Sequence, residues 1–174
     1  MGRVAVRAAV AAYLTDAALP FVGTVYPARP VILTEDAYEQ TLLGEAIAQT
    51  LGASSAVLVV NIVSDERVRR ALTGIAAVND TRIHDVALEV WFACVAGDGI
   101  GAQTDYDGIV DAIVTLIRAD CTMGGRVWQA GEFEAGVHHE QAMPYLDADG
   151  QVVQIPGVVR FQVWEWIVGN VSST

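Results

Sequence analysis

The sequence predicts an α+β fold: a mixed, mostly antiparallel sheet with two or three helices packed on it. Three observations lead there. The periodicities run α-β-α-β-β-β-α-β-β-β, with strands following strands instead of the regular alternation of a doubly wound fold. The clearest strand, residues 84–95, alternates. Val86, Leu88, Val90, Phe92 and Cys94 fall on one side, and Ala87, Glu89, Trp91, Ala93 and Val95 on the other. The stretch RVWQAGEFEA, residues 126–135, is polar and alternating, unlike a parallel strand buried on both faces.

The elements follow in order. Arg3 to Ala18 fits a helix with Val6, Val10, Tyr13 and Ala17 on one stripe and Pro20 as its stop. Thr24 to Tyr26 is a short strand closed by Pro27 and Pro30. Glu35 to Leu51 reads as a second helix ending at Gly52, and Ala56 to Val63 as an apolar strand, AVLVVNIV. Residues 64–82 hold Arg67, Arg69, Arg70 and Arg82 with an Asn79-Asp80 turn signal, and read as a projecting hairpin or arm. Thr104 suits the N-cap of a helix with Asp105 and Asp107 in its first turn and Tyr106, Val110, Ile113, Leu116 and Ile117 inside. A strand over 126–135 comes next. Met143 to Ile155 then reads as a hairpin closed by Asp149-Gly150, and Val158 to Val168 as a last strand. No repeat or linker divides the chain, so 1–174 is expected to be one domain, with the arm at about 64–82 and an added hairpin at about 137–157.

The totals narrow the chemistry. A chain of 174 residues buries roughly 70% of its unfolded surface and needs no staples. The net charge is −11, and all ten basic residues are Arg, so any chemistry needing Lys is ruled out. The acidic balance disfavours a surface that clamps nucleic acid. Cys94 and Cys121 have no metal or redox spacing and read as reduced packing residues. No stretch is apolar for long enough to predict a membrane-spanning helix.

Four motifs invite a catalytic or ligand reading, and each has a plainer one. GDGIGA, residues 97–102, has the G-x-G-x-x-A spacing of a dinucleotide loop, but Asp98, Asp105 and Asp107 surround it and Asp120 lies at a helix end, not a strand end. A flexible strand-to-helix loop explains it. His138, His139 and Glu140 suggest a metal, but the only other His is His84, and a polar turn or loop explains them. If they formed a strand, His138 and Glu140 would share a face. DADGQ, residues 147–151, has its Gly too early for a calcium loop and is a hairpin turn. There is no G-x-S-x-G, and Ser54 and Ser55 have no nearby His. No catalytic residue, cofactor site or metal site is therefore expected.

The face opposite the aliphatic stripe is more informative. Val159, Phe161, Val163 and Ile167 point one way from the last strand, and Arg160, Gln162, Trp164 and Trp166 the other. With Trp91, that puts Trp164 and Trp166 on a face that a two-layer domain need not cover. Trp and Arg together are typical anchors of subunit interfaces, so Arg67, Arg69, Arg70, Arg82, Trp91, Trp164 and Trp166 are the candidate interface residues. Helices covering both faces are the alternative.

The order of elements matches a known family. The matching parts are the N-terminal helix running into TVYPARP, the strand AVLVVNIV before the Arg-rich arm, RIHDVALEVWFACVAGD, the helix YDGIVDAIVTLIRAD, GGRVWQAGEF, and the closing strand VVRFQVWEWIV. On these the chain resembles the tail terminator (tail completion) proteins of long-tailed bacteriophages. The resemblance spans nearly all of the chain and rests on order and texture, with 35–51 and 137–157 as additions. It implies a structural virion protein, not an enzyme. Such a protein forms a homo-hexameric ring at the head-proximal end of the tail, after assembly in the host cytoplasm. Its partners would be the tail tube protein and the head–tail connector or stopper, with no membrane involved, and DNA would pass through its lumen without specific binding. A negative lumen fits, because it repels phosphates.

Overall fold

The computed structural model describes residues 2–30, 54–71, 78–95, 99–131, 136–146 and 151–168, with backbone alone at 67–71, 78–80, 99 and 166–168. The expected helix over 35–51 lies outside the described residues. The elements are α1 (Arg3–Asp16), β1 (Val22–Tyr26), β2 (Ser54–Ala71), β3 (Val78–Val95), α2 (Gly99–Ala119), β4 (Gln129–Gly131), β5 (His138–Gln141), β6 (Tyr145–Leu146) and β7 (Val152–Val168). They form an α+β fold with one mixed sheet and, among the described residues, two helices.

The sheet runs β1-β2-β3-β7, and the far edge of β7 carries β4, β5 and β6. β1 is parallel to β2, and every other pairing is antiparallel. The pairs Gln129↔Trp164, His138↔Arg160 and Tyr145↔Gln154 step steadily along β7. β4, β5 and β6 therefore act as one interrupted edge strand, and breaks of this kind blunt an edge against unwanted pairing.

The alternation expected for residues 84–95 is what the chain adopts. Val86, Leu88, Val90, Phe92 and Cys94 join one core cluster with Leu58 and Val60 of β2, Val159, Phe161 and Val163 of β7, Val6, Val10 and Leu14 of α1, and Tyr106, Ile109, Ile113 and Ile117 of α2. Both described helices thus cover one face of the sheet. A smaller cluster of Val57, Val59, Ala93 and Val152, with Tyr26 and Trp91 against it, lies on the other face.

Four local readings change. β2 does not stop at Val63; it continues to Ala71, paired as far as Ala71↔Val78, so 64–82 is a hairpin as one reading had it, but one that prolongs the sheet. The register shifts between Ile62 and Ser64, where exposed Val63 is the extra residue of a bulge. α2 starts at Gly99, so Thr104 is inside the helix, and its hydroxyl donates to Ile100 O at 2.9 Å instead of capping. β7 passes unbroken through Pro156-Gly157. The N–H of Ala142 donates to Pro156 O at 3.0 Å. A strand residue points its N and O the same way, so the donor that Pro156 lacks would have faced the break between β5 and β6. Cys94 is buried as expected, but Cys121 is exposed and is not a packing residue.

Gly157 has a steric role. A Cβ there would collide with the Tyr106 hydroxyl and come within 3.1 Å of Glu140 O. Tyr106 lies on this glycine, is fully buried, and meets Phe92 edge-on at 5.9 Å between ring centroids.

Candidate assembly surface

The face that no described helix covers carries paired charges. Arg29, just beyond β1, reaches Glu89 on β3 with Nε at 2.8 Å and Nη2 at 2.6 Å from Oε1. Glu89 is buried, and Trp91 on the same strand donates its indole N–H to Glu89 Oε2 at 3.3 Å. Two aligned guanidinium donors on one carboxylate make a strong, directional pair. Further along, Arg160 on β7 pairs with Glu140 on β5 at 3.3 Å. Asp85 on β3 accepts from the Ser64 hydroxyl and from Gln162 at 3.0 Å. Two clefts follow this line. One of about 350 Å³ is lined by Arg29, Glu89, Trp91, Glu140 and Pro156, and one of about 270 Å³ by Ser64, Asp85, His138 and Arg160.

At the root of the long β2–β3 ladder the other face also turns polar. His84 is fully buried, with Nε2 3.1 Å from Glu165 Oε2, and its Nδ1 has no hydrogen-bond partner among the described residues. Asp65 lies between Arg3 at 3.5 Å and Arg82 at 3.8 Å, and Arg3 also donates to Ile62 O at 2.6 Å. These groups tie the start of α1 to the bulged part of β2, where the apolar core ends.

The expected interface residues fall in three places. Arg67 is opposite Arg82 in the ladder, Arg69 opposite Asp80 and Arg70 opposite Asn79. Trp91 is half-buried beside Glu89. Trp164 is only 8% exposed and its ring is tilted 51° to that of Trp128, with ring centroids 6.1 Å apart. Trp166 is opposite Thr81, with only its backbone described. Trp91 pairs with Pro156 and Ile83 with Trp164, so Trp91 and Trp164 stand about 26 Å apart along the strands, at roughly 3.3 Å per residue. They do not form one patch. Trp128, which the sequence reading left out, is the exposed member of its pair at 44%.

The other motifs are dispersed or used locally. His138, His139 and Glu140 are in a strand, not a turn or loop. Glu140 meets Arg160, while His139 Nε2 is 2.8 Å from the Tyr106 hydroxyl. Burial first, and then the charge of Asp107, hold the Tyr106 hydroxyl well above the usual phenol range. Among the described residues no group of three or more His, Cys, Asp or Glu is placed to hold a metal ion. Asp120 accepts from the Thr122 hydroxyl and from the N–H groups of Thr122 and Gly124, which lowers its pKa and folds the turn between α2 and β4. No described helix is long and apolar enough to cross a membrane.

No family model matches the chain, and no curated protein matches it in sequence.

Proposed function

We propose that this chain is a ring-forming structural protein of a long-tailed phage, a tail terminator. It caps the tail tube, joins it to the head connector and lets DNA pass through the lumen. The observation that supports this reading best is the division of the sheet. Both described helices cover one face, while the other bears Trp91, the Arg29–Glu89 and Arg160–Glu140 pairs and two clefts. Aromatic and Arg anchors among satisfied polar groups suit a subunit interface, and closing a ring takes two different patches on each subunit. The net charge of −11 suits a lumen that DNA crosses without being held. No catalytic chemistry is assigned.

The test is light scattering after size exclusion, with negative-stain images of the same peak, alone and with purified tail tubes. A ring of about six subunits, or a cap on tube ends, is the expected result. A chain that stays monomeric with tubes present overturns the reading. Recovery with heads instead of tubes moves the protein to the connector side of the neck.

A further inference from the structure

We infer that β5 is a strap that opens as a unit of its own, baring the β7 edge from Gly157 to Arg160 while the rest of the sheet stays folded. From His138 to Leu146 every residue is exposed, so this stretch gives the core no apolar side chain. The chain is anchored on both sides of it. Val137, partly buried, packs against the core cluster, and Val152 is buried. Segments with few buried apolar contacts are the ones that open locally before the whole domain unfolds.

Polar clasps fasten the strap instead. On the helix side the Tyr106 hydroxyl meets His139 Nε2 at 2.8 Å. Gln103, one turn earlier on α2, and Gln141 exchange amide hydrogen bonds at 3.0 and 2.9 Å. On the other side Glu140 pairs with Arg160 at 3.3 Å. Water competes for bonds at exposed groups, so each adds little to closure, and together they set how often the strap opens. The strap also walls both clefts of the opposite face. Glu140, Gln141 and Ala142 line the one of about 350 Å³, and His138 the one of about 270 Å³. Opening therefore widens both clefts at once. It also frees a short strand edge between Pro156, which has no donor, and Gln162, which β4 holds. The strap works alike in a single subunit and in a ring.

The experiment is residue-resolved amide hydrogen exchange by NMR on the full-length chain, at several urea concentrations below unfolding. The N–H of Ala142 donates to Pro156 O, and bonding alternates along an antiparallel pair, so His138, Glu140, Val158 and Arg160 bond across the strap while Val159 turns to β3. The amides of His138, Glu140, Val158 and Arg160 should open on the order of a hundredfold more often than those of Val159 and Leu88, and should respond little to urea. Gln103→Ala and Tyr106→Phe should each speed the first group about three- to tenfold. Val159 and Leu88 should change no more than the global stability from urea unfolding requires. Gln103→Ala removes only a half-buried amide from a helix, and it decides the matter if Tyr106→Phe fails to fold. Exchange of all these amides at one rate with one urea dependence overturns the inference. So does fast exchange that takes in Val159 equally, or that a folded variant leaves unchanged.

Discussion

On the helix-covered face Phe92 packs edge-on against Tyr106, whereas one residue earlier, on the opposite face, Trp91 gives its indole N–H to Glu89. The two rings share a strand and differ in what holds them. Phe92 is fully buried between helix and sheet, so its contribution is area removed from water plus close packing. Trp91 is half-buried beside a charge pair, so its contribution is part area and part hydrogen bond. One face is built for stability. The other keeps polar groups paired around a partly buried ring.

The sharpest way to break this contrast is to truncate both rings. Phe92→Ala should cost about 3–5 kcal/mol of unfolding free energy, because the cavity it leaves is walled by rigid elements. Trp91→Ala should cost about 1–2 kcal/mol, since part of that surface is already wet. Urea unfolding followed by far-UV circular dichroism measures both. Equal losses would mean that the second face is packed as tightly as the first.

The next effect is overpacking. Gly157→Ala places a methyl group against the Tyr106 hydroxyl, in a core where Tyr106 has no room to withdraw. About 1–3 kcal/mol should be lost, and Tyr106→Phe in the same chain should restore part of it. An unchanged midpoint for Gly157→Ala would show that α2 moves off the sheet easily.

The difference between the faces also explains what the sequence could reveal. Alternation over 84–95 was legible because one face is fully apolar and a one-residue slip would expose all of it. β5 was not legible as a strand: His138, His139, Glu140 and Gln141 are all exposed, so no hydrophobic period marks them. Pro156-Gly157 resembles a strand break, and only the edge gap opposite Pro156 and the ring over Gly157 make it tolerable. The start of α2 was placed too late because glycines at 99 and 101 suggest a loop, whereas packing of Ala102 and Tyr106 extends the helix through them. The charge pairs were out of reach altogether. Arg29 and Glu89 are sixty residues apart in the chain, and neither has a local signal for the other.

Tyr106 gives a smaller, pH-dependent test on the core face. Burial holds its hydroxyl above the ordinary phenol range in the folded chain, so the folded state keeps a proton that the unfolded state loses near pH 10. The stability tied to that proton is fully present below about pH 10 and is lost as pH rises further, by at most about 1.4 kcal/mol per pH unit. Subtracting the Tyr106→Phe curve from wild type between pH 9 and 11 isolates it. The difference should be flat up to about pH 10 and fall above it. A difference that stays flat throughout would mean water reaches the hydroxyl.

The smallest expected effect tests the charged face. Arg29 is half exposed, and Glu89 keeps the Trp91 N–H when the guanidinium is removed. Arg29→Ala should therefore cost only about 1 kcal/mol, well below the loss expected when a buried pair is left with one bare charge. Its salt dependence carries more information than its size. Screening weakens exposed pairs and spares buried ones, and here one partner is buried while the other is not. The difference between wild type and Arg29→Ala should shrink between low and 1 M NaCl without vanishing. A difference that disappears in salt would make the pair a surface contact, and Glu89 would then owe its burial to the strands around it and not to Arg29. A difference that ignores salt would place Arg29 inside the face, with the half-exposed cleft closed around it.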